Sequence, residues 1–191
     1  DSNLAVKKIY QPNQLEIIYR GSLAKWDTSL LRLCFLKGFL QAAHDHASYV
    51  NADQLAESVG LHVAEDTDPG FTDYESAFKC CFKLKGKQFT IGGVVFSGPH
   101  PRITLINDFV CELEASGTML VTTNSDKPGM IGVIGVCLGK HQININQFEL
   151  GRNVRGGEAM AVISVDQDIS KDILDELISN DGIISVRKIV L

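Results

Sequence analysis

Apolar residues recur along this chain at two periods, and the changes between them mark its elements. Leu15, Ile17 and Tyr19 alternate with Glu16 and Arg20, the period-two pattern of a half-buried strand. Residues 1–13, polar and carrying Pro12, read as a linker or tail before it. Asp27-Thr28-Ser29 offers helix N-caps ahead of an apolar run through Leu30, Leu31, Cys34, Phe35 and Phe39. That helix is apolar nearly all round, so burial on more than one side is expected. A shorter helix follows Asn51 over residues 52–59, and Gly60 stands where a glycine stop belongs. From Gly70 the period shortens again. Residues 74–84 and 88–96 flank a Lys85-Gly86-Lys87 turn, and residues 103–106 and 109–113 flank Asn107-Asp108, two hairpin signals.

After Ala115-Ser116-Gly117 the order becomes more regular. A strand over 118–123 precedes the loop Asn124-Ser125-Asp126-Lys127-Pro128-Gly129, and a helix runs on to about Lys140. A strand over 143–150, a glycine-rich hairpin from Gly151 to Gly157 and a strand over 159–165 follow. Ser170 caps a helix with the apolar stripe Ile173, Leu174, Leu177 and Ile178, and a strand over 184–190 closes the chain. This βαββαβ order predicts a ferredoxin-like sheet with both helices on one face. The fold class is therefore α+β in two domains: a mixed α/β domain over 14–116 and the βαββαβ domain over 117–191.

Composition narrows the possible roles. Hydrophobic residues are 45% and charged residues 21% of the 191, ordinary for a globular protein. No run approaches the roughly 18 apolar residues of a spanning helix. The net charge of −5, with no clustered Lys and Arg, argues against a nucleic-acid surface. Five cysteines, odd in number and without metal-ligand spacing, predict reduced thiols in a cytosolic or plastid-stromal protein and no metal. Cys80 and Cys81, neighbours in a strand, should face opposite ways, and no nearby basic group activates either. His44-Asp45-His46 reads as a solvated helix end rather than a metal pair, and Gly92-Gly93 as a bulge. The opening Asp1-Ser2-Asn3 carries no Met, which suggests part of a longer protein.

The loop from Asn124 to Gly129 is the best candidate for chemistry. A strand feeding a helix start exposes unpaired N–H groups at the positive end of the helix dipole, which suits a carboxylate. Asp126 beside it either accepts a bond from an ammonium group or caps the helix. Pro128 is expected in the first helical turn, and Gly129 permits close approach of a ligand. Gly129, Gly132 and Gly135, three residues apart, suggest a helix packed closely on its surroundings. Arg152 and Arg155 fall in a hairpin expected to be exposed. No catalytic residue and no strand–G-x-G-x-x-G–helix unit is found.

Three motifs in order, Asn124 to Gly132, His141-Gln142-Ile143-Asn144-Ile145-Asn146 and Gly156-Gly157-Glu158-Ala159-Met160, resemble the ACT domain. Upstream, Asp27-Thr28-Ser29-Leu30-Leu31, Lys37-Gly38, Tyr49-Val50-Asn51-Ala52 and Gly60-Leu61-His62-Val63 are similar to the intervening, allosteric substrate-binding domain of long-form D-3-phosphoglycerate dehydrogenases. Gly93, Gly98 and the stretch from Arg102 to Leu113 extend the likeness, which spans about 14–191. The resemblance implies the C-terminal regulatory part of an NAD-dependent oxidoreductase of L-serine biosynthesis. NAD and substrate domains would lie upstream, and this chain would bind no cofactor. It also implies L-serine or a similar amino acid held across an ACT–ACT dimer by the loop and a following-strand Asn. The matching positions are Asn124, Asp126, Lys127, Pro128, Gly129 and, from the second chain, Asn144. A second, anionic site would use Arg102 and Lys37, although Glu114 occupies another position that is basic in the family. Two other readings are the β chain of an iron–sulfur L-serine dehydratase and a free-standing amino-acid-binding regulator. The dehydratase's serine-rich segment is missing here.

Overall fold

A computed structural model describes residues 14–70, 74–84, 86–96 and 100–191. The tail over 1–13, Lys85 of the predicted turn and Gly98 lie outside the described residues. The chain divides into two compact units, Asp1–Val95 and Phe96–Leu191.

In the first unit, β1 (Gln14–Gly21) sits between β2 (His62–Asp68), parallel to it, and β3 (Ser76–Leu84), antiparallel. Strand β4 (Lys87–Phe96) follows β3, so the order is β2-β1-β3-β4. Parallel neighbours need a long crossover, and here it carries a 3-10 turn (Ser22–Lys25), α1 (Ser29–Gln41) and α2 (Ala52–Ser58). The alternation of β1 is realised: Leu15, Ile17 and Tyr19 are buried in one cluster with Leu36, Leu40, Ala52, Ala56 and Cys80. Tyr19 donates its hydroxyl to Glu65 at 2.9 Å, and burial, then that carboxylate, pushes the phenol's pKa up.

Two expectations fail in this unit, and one strand was missed. Helix α1 buries only Leu36 and Leu40; Leu30 is exposed, as are Leu31 and Cys34, which line an apolar cavity of about 610 Å³. All-round hydrophobicity fixed no face, so one flank of α1 stays open. Gly92 and Gly93 make no bulge, because they pair with Lys79 and Phe78 in unbroken register. Strand β2 was not foreseen, since three acids among its seven residues hide any alternation; it is a mostly exposed edge strand. At the start of α1, Ser29 donates its N–H and hydroxyl to Asp27, and the N-cap Thr28 contributes no side-chain bond.

The second unit opens with a hairpin, β5 (His100–Ile106) and β6 (Phe109–Glu114), turning at Asn107 with φ of 54°. Then come β7 (Thr118–Ser125), α3 (Met130–Lys140), β8 (Ile145–Arg152), β9 (Glu158–Val165), α4 (Lys171–Ile178) and β10 (Ile183–Val190). The strand order β10-β7-β9-β8, antiparallel throughout, is that of the ferredoxin-like sheet. Leu120, Ala161, Ile163 and Val165 face Met130, Ile134, Leu138, Ile173 and Leu177 of the helices in one core. The opposite face is buried too: Met119, Met160 and Val162 pack with Phe109 and Leu113 of the hairpin. That explains why β9 reads as an almost continuous apolar run instead of alternating. Among the described residues no helix is long and apolar enough to cross a membrane.

Candidate functional site

Strand β7 sends Leu120, Thr122 and Asn124 to the helix side of the sheet, where each is buried. Asn124, at its end, is only 2% exposed. Its Nδ2 donates to the Ser125 carbonyl at 2.8 Å, whereas its Oδ1 is buried with no partner among the described residues. A buried acceptor without a donor costs roughly 1–3 kcal/mol. Asn124 lines a cavity of about 510 Å³ at the head of α3, within the size range of small-molecule sites.

The floor of that cavity is the start of α3. The first intrahelical bond runs from the Val133 N–H to the Gly129 carbonyl, so the N–H groups of Met130, Ile131 and Gly132 precede the ladder. Gly129 is the N-cap, with φ of 93°, and no side chain caps the helix. Pro128 therefore lies in the turn before the helix and not in its first turn: the left-handed Gly129 delays the helix by one residue. Gly129→Ala should destabilise the protein by about 1–2 kcal/mol from backbone strain alone, since a Cβ there meets nothing within 4 Å. A shift in the denaturation midpoint checks this.

Asp126 does not cap the helix. Its Oδ2 accepts from the Gly156 N–H at 2.8 Å and lies 3.5 Å from Arg152 Nη1, pinning the β8–β9 hairpin over the cavity. Its Oδ1 has no partner among the described residues. Lys127 is paired with Asp181. The glycine spacing of α3 is not close packing within the chain, because a Cβ on Gly132 or Gly135 would meet open space. The remaining walls are Phe148, Leu150, Arg152 and Arg155. The two arginines were set aside in the sequence as exposed hairpin residues. No signal in the sequence pointed to them: the β7–β9 ladder ends at Ser125 opposite Glu158, and just beyond it the Asp126 N–H donates to the Gly157 carbonyl at 2.9 Å.

Of the candidate residues, the structure gathers Asn124, Asp126, Lys127, Pro128 and Gly129 around one cavity. Asn144 does not line it; it follows the far end of α3, about 16 Å along an eleven-residue helix. There its Nδ2 donates to Asp166 and its N–H to Gln167. Arg102, in the second unit, is engaged by Glu114 across the β5–β6 hairpin at 3.1 Å. Lys37, in the first unit, places its ammonium 4.9 Å from the Tyr49 ring centroid. Burial pushes the Cys80 thiol up to about 12 and the Cys111 thiol up to about 11, which argues against either as a nucleophile.

Residues 7–107 match the family model of the D-3-phosphoglycerate dehydrogenase intervening domain. The D-3-phosphoglycerate dehydrogenase of Bacillus subtilis is 32% identical over 92% of this chain and 34% of its own length. That of Synechocystis is 30% identical over 90% of this chain and 31% of its own. The chain thus spans about a third of the length of the curated relatives it matches. The ACT domain from the GTP pyrophosphokinase of Chlorobium tepidum is a slight structural match: 19% identity over 39% of this chain and 97% of that one, with a TM-score of 0.33. With the intervening-domain match covering more than half of the chain, this chain belongs to the family of the D-3-phosphoglycerate dehydrogenase intervening domain.

Proposed function

We propose that this chain is the regulatory segment of an NAD-dependent D-3-phosphoglycerate dehydrogenase of the cytoplasm or plastid stroma. In this reading its second unit is an ACT domain that binds L-serine, or a similar small amino acid, as a feedback signal. The observation that carries the proposal is the unpartnered, buried Asn124 Oδ1 on the wall of a cavity floored by free helix-start amides. A free amino acid supplies what that arrangement lacks. Its carboxylate takes the α3 amides, and its ammonium donates to Asn124 Oδ1 and to the open Asp126 Oδ1. Arg152 and Arg155 bias the cavity towards an anionic group.

Two chains complete the site. Asn144 of one chain would close the cavity of the other, because within one chain the two are separated by the length of α3. An isologous pair repeats that contact twice and ties ligand occupancy to subunit spacing. A coupling of roughly 1–3 kcal/mol then suffices for feedback on a distant catalytic site. The chain is expected to sediment as at least a dimer at micromolar concentration; a lone 20.9 kDa species would count against this. L-Serine is expected to raise the melting temperature and tighten that association. If it does neither, the serine reading falls and the family assignment alone stands.

A further inference from the structure

At the opposite end of α3 from the cavity, three side chains of different chemistry converge. Cys137 and His141 are four residues apart, which puts the thiol and the ring on one face of the helix end. The same i, i+4 spacing presents the two ligands of helical H-E-x-x-H zinc sites. Glu176 of α4 reaches the same point from the neighbouring helix. One ligand atom from each of the three lies within 4.8 Å of the others. His141 Nε2 is 2.8 Å from Glu176 Oε2, and Lys140 Nζ is 2.9 Å from Glu176 Oε1.

We propose that Cys137, His141 and Glu176 form a three-ligand site for a zinc-class divalent cation, clamping the end of α3 to α4. A thiolate, an imidazole and a carboxylate together select zinc over magnesium or calcium, which favour all-oxygen shells. Bonds of about 2.0–2.3 Å in a tetrahedral shell set ligand atoms roughly 3.3–3.8 Å apart. The His141–Glu176 pair therefore opens by about half an ångström and the widest separation closes by about one, within reach of side-chain rotation. On binding, the Cys137 thiol gives its proton to solvent, and a water takes the fourth position. One thiolate and one carboxylate then neutralise the dication. Lys140, on the other carboxylate oxygen, becomes an outer contact that orients Glu176 while Oε2 faces the metal. Cys137 is only 5% exposed, so the cation would sit against the apolar core and not on an open acidic surface. The pattern was invisible in the sequence because the third ligand lies 35 residues beyond His141 on another helix.

The test is a cobalt(II) titration of the full chain after chelator treatment, read by absorption. One equivalent per chain is expected, with the visible bands of a four-coordinate ion and a thiolate-to-cobalt charge-transfer band. Cys137→Ser should abolish the charge-transfer band, while Cys34→Ser, at an exposed thiol, should leave it unchanged. His141→Gln and Glu176→Gln, at half-buried positions where folding is least at risk, should each weaken binding by more than about tenfold, the least cost of losing even an outer-shell partner. Zinc should raise the melting temperature of the unmutated chain and not of His141→Gln. Absence of the thiolate band, or its survival in Cys137→Ser, would overturn the proposal. So would affinity in His141→Gln and Glu176→Gln equal to that of the unmutated chain, which would leave a hydrogen-bonded helix end and nothing more.

Discussion

Leu138→Ala is expected to destabilise the second unit by about 3 kcal/mol, within the 2–5 kcal/mol range of buried leucine truncations. Leu138 is fully buried, in one core cluster with Leu120, Ile134, Ile163, Ile169 and Leu177. Both sides of the vacated space are regular structure, so the surroundings have little freedom to collapse into it. Val136, two residues earlier, is 74% exposed, and Val136→Ala should change stability by less than about 0.5 kcal/mol. The choice of probe matters. Trp26 and all four tyrosines lie before residue 96, so intrinsic fluorescence reports on the first unit. Amide exchange in β7 and β9 is the suitable readout. Similar, small effects from the two substitutions would show that α3 does not pack as described.

Asp126→Ala is expected to weaken L-serine binding at least about tenfold, or about 1.4 kcal/mol. The loss has two sources. The ammonium loses a charge-assisted acceptor, worth roughly 1.5–3 kcal/mol when buried. The hairpin also loses its Gly156 contact and with it the fixed position of Arg152 and Arg155 over the cavity. Asp126→Asn separates the two: its amide oxygen can still accept from Gly156, but the charge is gone. Affinity in Asp126→Asn should therefore stay low while Gly156 exchange protection returns to the unmutated level. Asn144→Ala, acting from the partner chain, should weaken binding by less than Asp126→Ala, and neither change should unfold the protein. Calorimetric dissociation constants for the three variants decide this.

The second unit was more legible in the sequence than the first, and for a physical reason. Its closing helix is amphipathic against one core, so Ile173, Leu174 and Leu177 name a helix face and Ser170 names its start. In the first unit, α1 carries apolar residues all round and β2 carries acids, so neither states its face. At the site, the residues of the loop were readable because a strand, a turn and a helix start in succession expose backbone donors whatever the packing. Arg152, Arg155 and the hairpin latch on Asp126 were not, since they depend on the pairing of β7 with β9 and β9 with β8. The left-handed backbone of Gly129 was likewise out of reach: proline next to glycine suits both a turn and a helix start, and only the positive φ distinguishes them.

The central claim is that the cavity at the head of α3 receives an amino acid, and calorimetric titration of L-serine into the unmutated chain tests it most directly. The account predicts one saturable site per chain, with binding lost when Asn124→Leu removes the unpartnered acceptor. No heat of binding and no rise in melting temperature at millimolar L-serine, or equal affinity in Asn124→Leu, would contradict it.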